Sequence, residues 1–245
     1  VGMDIQQNIK MRPLGDSAIV VQIGEGISPD IHHVIIHLMN EIERDPFHGF
    51  IEAVPSYNSV TVYYNPVTIY FENQQSQVNS AFQKVSAFME EYIKRVNPEE
   101  EREQRVIEIP VIYGGEYGPD LEVVATYNSL TPEEVIDIHL NHEYMVYMIG
   151  FSPGFPFLGG MDERIATPRK VSPRQAIPQG SVGIAGKQTG IYSLETPGGW
   201  QIIGRSPASL FLPNSSPPTL LQAGDKIRFK QIEEEEFSTY KEEVI

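Results

Sequence analysis

The sequence predicts an α+β chain of two domains: a small ferredoxin-like α/β domain over residues 1–104 and a β-barrel or compact β domain over 105–245. Three observations carry this. Strand-like and helix-like runs alternate through the first third. A polar stretch without an apolar anchor, Asn97 to Arg105, interrupts them. Eleven of the 20 glycines then fall between Gly150 and Gly204, where short apolar runs replace helical periodicity.

The first strand is predicted at Ser17 to Ile23, which is β-branched. Ser28-Pro29 reads as a helix start, serine capping and proline giving up an N–H that would be unpaired anyway. Ile31, Ile35, Leu38 and Ile42 follow at helical spacing, with His33 and His37 flanking them and expected in solvent. Two strand-like runs come next, Ile51 to Pro55 and Ser59 to Tyr64. A second helix carries the stripe Val78, Phe82, Val85, Met89, Tyr92 and Val96. Val106 to Ile112 reads as another strand, and the order β-α-β-β-α-β is that of a ferredoxin-like unit. In the second part, Thr131-Pro132-Glu133-Glu134 fits a capping box ahead of a helix bearing Val135, Ile138 and His142 on one face, with His139 beside them. Ser181 to Ile184 and Trp200 to Ile203 read as strands between turns. The glutamate-rich tail from Gln231 to Ile245 is expected to fray.

Charge and composition narrow the function. The 245 residues carry 33 acidic and 18 basic side chains, a net of -15, which argues against phosphate backbones and anionic membranes as partners. No apolar run approaches a membrane span, and Val1 to Lys10 lacks the apolar core of a signal peptide. The chain has no cysteine, which removes disulfides, thiolate nucleophiles and cysteine-ligated zinc and fits a cytoplasmic location.

Several short motifs fail on physical grounds. Gly150-Phe151-Ser152-Pro153-Gly154 matches the nucleophile-elbow string, but the oxyanion hole needs an N–H on the residue after serine, and Pro153 has none. A rigid turn packed by Phe151, Phe155 and Phe157 is the expectation. Gly186-Lys187 lacks the P-loop's first glycine and its hydroxyl residue, since these positions hold Ser181 and Gln188. His139 and His142 are three apart without a third ligand, so no metal site is expected; His139 is either held by a hydrogen bond or placed at a pocket wall for proton transfer. The segment Arg164 to Arg205 is different. It holds six basic residues and one acid, a net of +5, interleaved with glycines. Arginine forks suit a small anion, and ion pairing to the acidic remainder is the competing account. The lone tryptophan, Trp200, follows Pro197-Gly198-Gly199 and is either core or a platform at a pocket.

Taken in order, these pieces are recognisable: Leu14-Gly15-Asp16-Ser17-Ala18; Tyr113-Gly114-Gly115 with Gly118-Pro119-Asp120-Leu121; His139; Gly150 to Phe155; Pro168-Arg169-Lys170 with Pro173-Arg174; Pro178-Gln179-Gly180-Ser181-Val182; Gln188-Thr189-Gly190-Ile191-Tyr192; Pro197 to Trp200; and Ile203-Gly204-Arg205. The chain resembles the allophanate hydrolase subunit 1 family, also called the family of KipI and of the 5-oxoprolinase B subunit, over nearly its whole length. The resemblance implies a small α/β N-terminal domain and a cyclophilin-like β-barrel. It implies two partners, a larger KipA-like C subunit and an A subunit, in an ATP-dependent 5-oxoprolinase that opens 5-oxo-L-proline to L-glutamate. The alternative it implies is inhibition of a sensor histidine kinase in sporulation, relieved by KipA. Under the enzymatic reading, His139 is expected to transfer a proton. Arg174 or Arg205 is the expected carboxylate anchor, Arg169 is expected among the substrate-binding residues, and Gln188 and Thr189 are expected to bond the amide. Phe151, Phe155, Gly199 and Trp200 are expected at the pocket or partner surface. ATP serves the complex, and which of its members binds it is left open.

Overall fold

A computed structural model of the chain describes residues 9–71, 80–97 and 105–243. The chain divides into two compact units, Val1–Arg102 and Glu103–Ile245.

In the first unit, strands β1 (Ile9–Pro13), β2 (Ala18–Ile23), β3 (Phe50–Pro55) and β4 (Ser59–Tyr64) form one antiparallel sheet in the order β1-β2-β4-β3. Alternation decides which face is covered. Ile19, Val21, Ile23, Val60, Val62 and Tyr64 are buried, while their sequence neighbours Val20, Gln22, Thr61 and Tyr63 are only partly so. Helices α1 (Pro29–Arg44) and α3 (Ala81–Arg95) lie against the sheet and share its core, α1 through Ile31, Val34, Ile35, Leu38 and Ile42, α3 through Val85, Met89, Tyr92 and Ile93. A short helix α2 (Pro66–Phe71) follows β4.

Three expectations change here. The fourth strand of the sheet is Ile9–Pro13, and Val106 onward belongs to the second unit, so the element order of the first is ββαββαα rather than β-α-β-β-α-β. Strand β1 sits at a sheet edge with one face against the core, so it lacks the apolar density that signals a strand. Ser28 occupies the N-cap position in an extended conformation, but its side chain makes no capping hydrogen bond. His37 is buried rather than solvated, packed 4.3 Å from the His33 ring. Val78 and most of the Asn97–Arg105 stretch lie outside the described residues.

Seven strands of the second unit close into a barrel. They are β5 (Val106–Tyr113), β6 (Glu143–Ile149), β7 (Pro156–Gly159), β9 (Ser181–Ala185), β10 (Gln188–Ile191), β12 (Gln201–Arg205) and β13 (Lys226–Gln231). Their order around the barrel is β10-β7-β6-β13-β5-β12-β9. Only the β5–β13 pair is parallel. Strands β8 (Arg174–Ile177) and β11 (Thr196–Gly198) form a separate two-stranded ribbon. Helices α4 (Leu121–Tyr127) and α5 (Pro132–Leu140) pack together, α4 against β12 and α5 against β13. The capping box of α5 is present: Glu134 N–H donates to Thr131 Oγ1 at 3.2 Å and Thr131 N–H to Glu134 Oε2 at 2.7 Å. Val111, Val146, Leu158, Val182, Ile184, Ile191, Ile203 and Ile227 belong to one fully buried core. The acidic tail does not simply fray: α6 (Glu234–Glu243) buries Phe237 beside Tyr117, their rings 5.1 Å apart. None of the described helices is long and apolar enough to cross a membrane.

Candidate functional site

Aromatic side chains flank the ends of three barrel strands: Phe155 precedes β7, Tyr192 follows β10 and Trp200 precedes β12. Phe155, Tyr192 and Trp200 form a second buried cluster with Ile177, Ala185 and Ile202. Phe155 meets Trp200 at 5.6 Å, Tyr192 at 5.4 Å and Phe157 at 4.9 Å, all edge-on. The motif glycines explain how these rings lie so close to the strands. A Cβ on Gly190 would stand 3.0 Å from Phe155 and 3.1 Å from Trp200, and one on Gly183 would stand 3.1 Å from the Trp200 Cβ. The turn Gly150 to Phe155 closes on itself through Gly150 N–H to the Phe155 carbonyl at 3.0 Å. Ser152 pairs its hydroxyl with Ser193 at 3.1 Å. Phe151 stands at φ 66° and is 67% exposed, its ring edge-on to Phe155. Gly199 uses its carbonyl to accept the Lys170 N–H at 2.7 Å.

In the same unit, His139 of α5 is fully buried. Its tautomer follows from its neighbours. Thr189 Oγ1 donates to the Gly183 carbonyl at 3.0 Å, so it accepts from His139 Nε2–H at 3.0 Å. Nδ1 then accepts the Tyr113 hydroxyl at 2.8 Å. Phe229 stacks on the imidazole at 4.4 Å, and Tyr144 donates to the His139 carbonyl at 2.8 Å. Burial, helped by His142, pushes the His139 pKa down to about 3, so the ring is neutral. Both nitrogens are occupied within the core, and His139 and Thr189 belong to one internal chain of hydrogen bonds.

Asp120 organises a charged cluster in the same unit. It is 3% exposed. Arg174 grips it with both arms, at 2.7 and 2.8 Å; Lys170 reaches it at 3.0 Å; and the Ile202 N–H donates to it at 2.7 Å. Burial alone would raise the Asp120 pKa; the hydrogen bonds from Arg174, Ile202 and Lys170 outweigh it and hold the carboxyl below its ordinary value. The cluster ties the start of α4 to β12 and to the loop before β8.

The basic segment therefore divides. Four of its six cations pair with acids of the chain: Arg164 with Asp162, Lys170 and Arg174 with Asp120, and Lys187 with Glu163. Arg205 donates to the Gln179 carbonyl at 2.8 Å. Arg169 is exposed and lies over the Trp200 ring, 6.0 Å from its centroid, and makes no ion pair among the described residues. It borders a groove of about 380 Å³ lined by Val123 and Tyr127 of α4, the loop Thr167–Ser172 and Gln201. Gln188 is partly buried at the start of β10. The structure thus brings Arg169 and Trp200 together, places Arg174 with Asp120, and places His139 and Thr189 in the buried interior. Sequence reasoning missed Asp120 as the counter-ion and missed Gln201, Val123 and Tyr127 altogether; the Gly118-Pro119-Asp120 run was the one visible sign of the first. A wider groove in the first unit, lined by Ile9, Met11, Phe82, Ser86, Glu90, Ile93 and Lys94, contains none of the predicted site residues. Among the described residues no His, Asp and Glu cluster is arranged to hold a metal.

The family model for the carboxyltransferase domain, subdomain C and D, matches residues 9–221. The chain is 52% identical over 234 residues to the 5-oxoprolinase B subunit of Bacillus subtilis (strain 168), covering 96% of this chain and 97% of that one. It is 40% identical to the 5-oxoprolinase B subunit of Escherichia coli O157:H7, covering 88% and 93%. Among solved structures, that of TTHA0988 superposes with a TM-score of 0.74 at 35% identity, covering 88% of this chain and 40% of the longer one.

Proposed function

Because the chain belongs to the carboxyltransferase domain, subdomain C and D family, and its near-full-length relatives are named as one component of 5-oxoprolinase, we propose that it is the B subunit of an ATP-dependent 5-oxoprolinase. In that complex it works with a KipA-like C subunit and an A subunit to open 5-oxo-L-proline to L-glutamate. The observation that carries this reading is the 52% identity spread over 97% of the Bacillus subtilis relative.

The geometry supports a division of labour on this chain. The substrate carries a carboxylate and an unreactive lactam. Arg169 offers a planar fork with its donors uncommitted to any acid among the described residues, steadied by the Trp200 ring, and it takes the carboxylate. Arg174 acts at one remove, locking the loop that carries Arg169 through Asp120. His139 is a positioning residue: neutral and enclosed, it holds Thr189 and with it the β9–β10 hairpin, against whose Gly183 and Gly190 Trp200 packs. ATP supplies the activation of the lactam carbonyl within the complex.

The test is reconstitution. The chain is co-purified with its two partners and glutamate release from 5-oxo-L-proline is followed with and without ATP. Glutamate that appears only with ATP, and only when this chain is present, supports the reading; a complex that turns over equally well without this chain overturns it.

A further inference from the structure

Gln201, which lines the groove beside Arg169, holds one buried polar atom without a partner among the described residues. Gln201 is 7% exposed. Its Nε2 donates to the Pro168 carbonyl at 3.0 Å, which fixes the amide so that the other end must be the acceptor. That acceptor, Oε1, is buried and has no hydrogen-bond partner among the described residues. Buried acceptors are almost always paired, so an orphan at a groove marks a place where a donor belongs. Gln201 and Pro168 both line the groove.

We propose that this groove is a subsite for a small cyclic acid bearing a ring N–H, with Arg169 on its carboxylate and Gln201 Oε1 accepting its N–H. The proposal rests on the 5-oxoprolinase reading for the identity of that acid. Three features fit such a ligand. The cation and the acceptor are held by one dipeptide, since Arg169 lies over Trp200 and Gln201 follows it. Lys170, the other cation of the groove, is neutralised by Asp120 and does not compete for the carboxylate. Val123 and Tyr127, 48% and 61% exposed, offer an apolar wall for ring carbons. A site built to accept an N–H discriminates against an analogue that lacks it, because the acceptor is then left unpaired.

The chain's single tryptophan lies under Arg169 and reports the groove directly. Trp200 fluorescence of the full chain, and of the reconstituted complex, is titrated with 5-oxo-L-proline and with the corresponding lactone acid, which replaces the ring N–H by oxygen. The expected result is a lactone affinity about tenfold or more below that of the lactam. Gln201→Leu should bring the two within about twofold, and Arg169→Gln should weaken both about tenfold. Equal binding of lactam and lactone, an unchanged preference in Gln201→Leu, or no binding to chain or complex overturns the subsite. The ligand comparison on the unaltered chain needs no variant, so it stands even if Gln201→Leu fails to fold. Selective binding by a complex that releases no glutamate would sink the 5-oxoprolinase reading and keep the subsite; glutamate release with lactam and lactone bound alike would do the reverse.

Discussion

The His139 and Asp120 clusters are each centred on a buried side chain and both built from motif residues, yet they hold the barrel unit together by different physics. Around His139 every group is neutral, and each donor meets one acceptor in the chain Tyr113, His139, Thr189, Gly183. Around Asp120 one buried carboxylate is shared by an arginine, a lysine and a backbone N–H. The neutral chain costs little to bury because nothing in it is ionised. The ionic cluster is maintained only while all of its partners are present. The difference shows that a motif arginine and a motif histidine can both be engaged by internal partners, and the proposed ligand-facing residue is the one without an acid partner among the described residues.

Breaking the ionic cluster should have the largest effect. Asp120→Ala leaves Arg174 and Lys170 without their counter-ion and Ile202 N–H without an acceptor. A loss of about 3 kcal/mol in urea unfolding is expected; a loss under about 1 kcal/mol would show that water replaces the carboxylate at no cost. His139→Ala comes next, at about 2–3 kcal/mol, from a cavity and the unpaired Tyr113 and Thr189 hydroxyls.

Acid separates the clusters further. His139 titrates near 6.5 when unfolded and near 3 in the fold, so the unfolded chain binds the extra proton between those values. Stability from this residue is complete above about pH 6.5 and is lost as the pH falls toward 3. The loss should be on the order of 1–2 kcal/mol between pH 7 and pH 5. Asp120, whose pKa is depressed in the fold, contributes stability that is present above about pH 4 and lost only as the pH falls through its lower folded value. Unfolding free energies at pH 7 and pH 5 for the unaltered chain and His139→Asn should therefore converge at the lower pH, while Asp120→Asn keeps its deficit. Parallel curves for the histidine variant would mean that His139 takes up its proton in the fold as readily as in the unfolded chain. The smallest expected effect is Arg169→Gln, within about 0.5 kcal/mol of the unaltered stability, because its side chain is exposed and supports no other group.

Legibility in the sequence followed the range of the forces involved. Helix α5 was readable because its capping box joins residues three apart, Thr131 and Glu134. Helices α1 and α3 were readable from apolar stripes within one helix. The edge strand β1 and the partner of Val106–Tyr113 were not, since β5 pairs in parallel with β13, more than a hundred residues later. At the candidate site, arginine-rich chemistry was visible, but which arginine lacks an acid partner among the described residues was not. Arg174 and Asp120 are 54 residues apart, and only the fold brings them together and leaves Arg169 over Trp200. Gln201 gave no signal at all: an ordinary strand glutamine becomes notable only when burial strips one of its atoms of partners.

Central to the proposed site is Arg169, which makes no ion pair among the described residues while Lys170 and Arg174 are paired with Asp120. The most direct test measures KM for 5-oxo-L-proline in the reconstituted complex together with the urea midpoint of the isolated chain, for Arg169→Gln. The expected result is a KM raised about tenfold or more with the midpoint unchanged. An unchanged KM, or a rise in KM matched by a fall in the midpoint, would contradict that role.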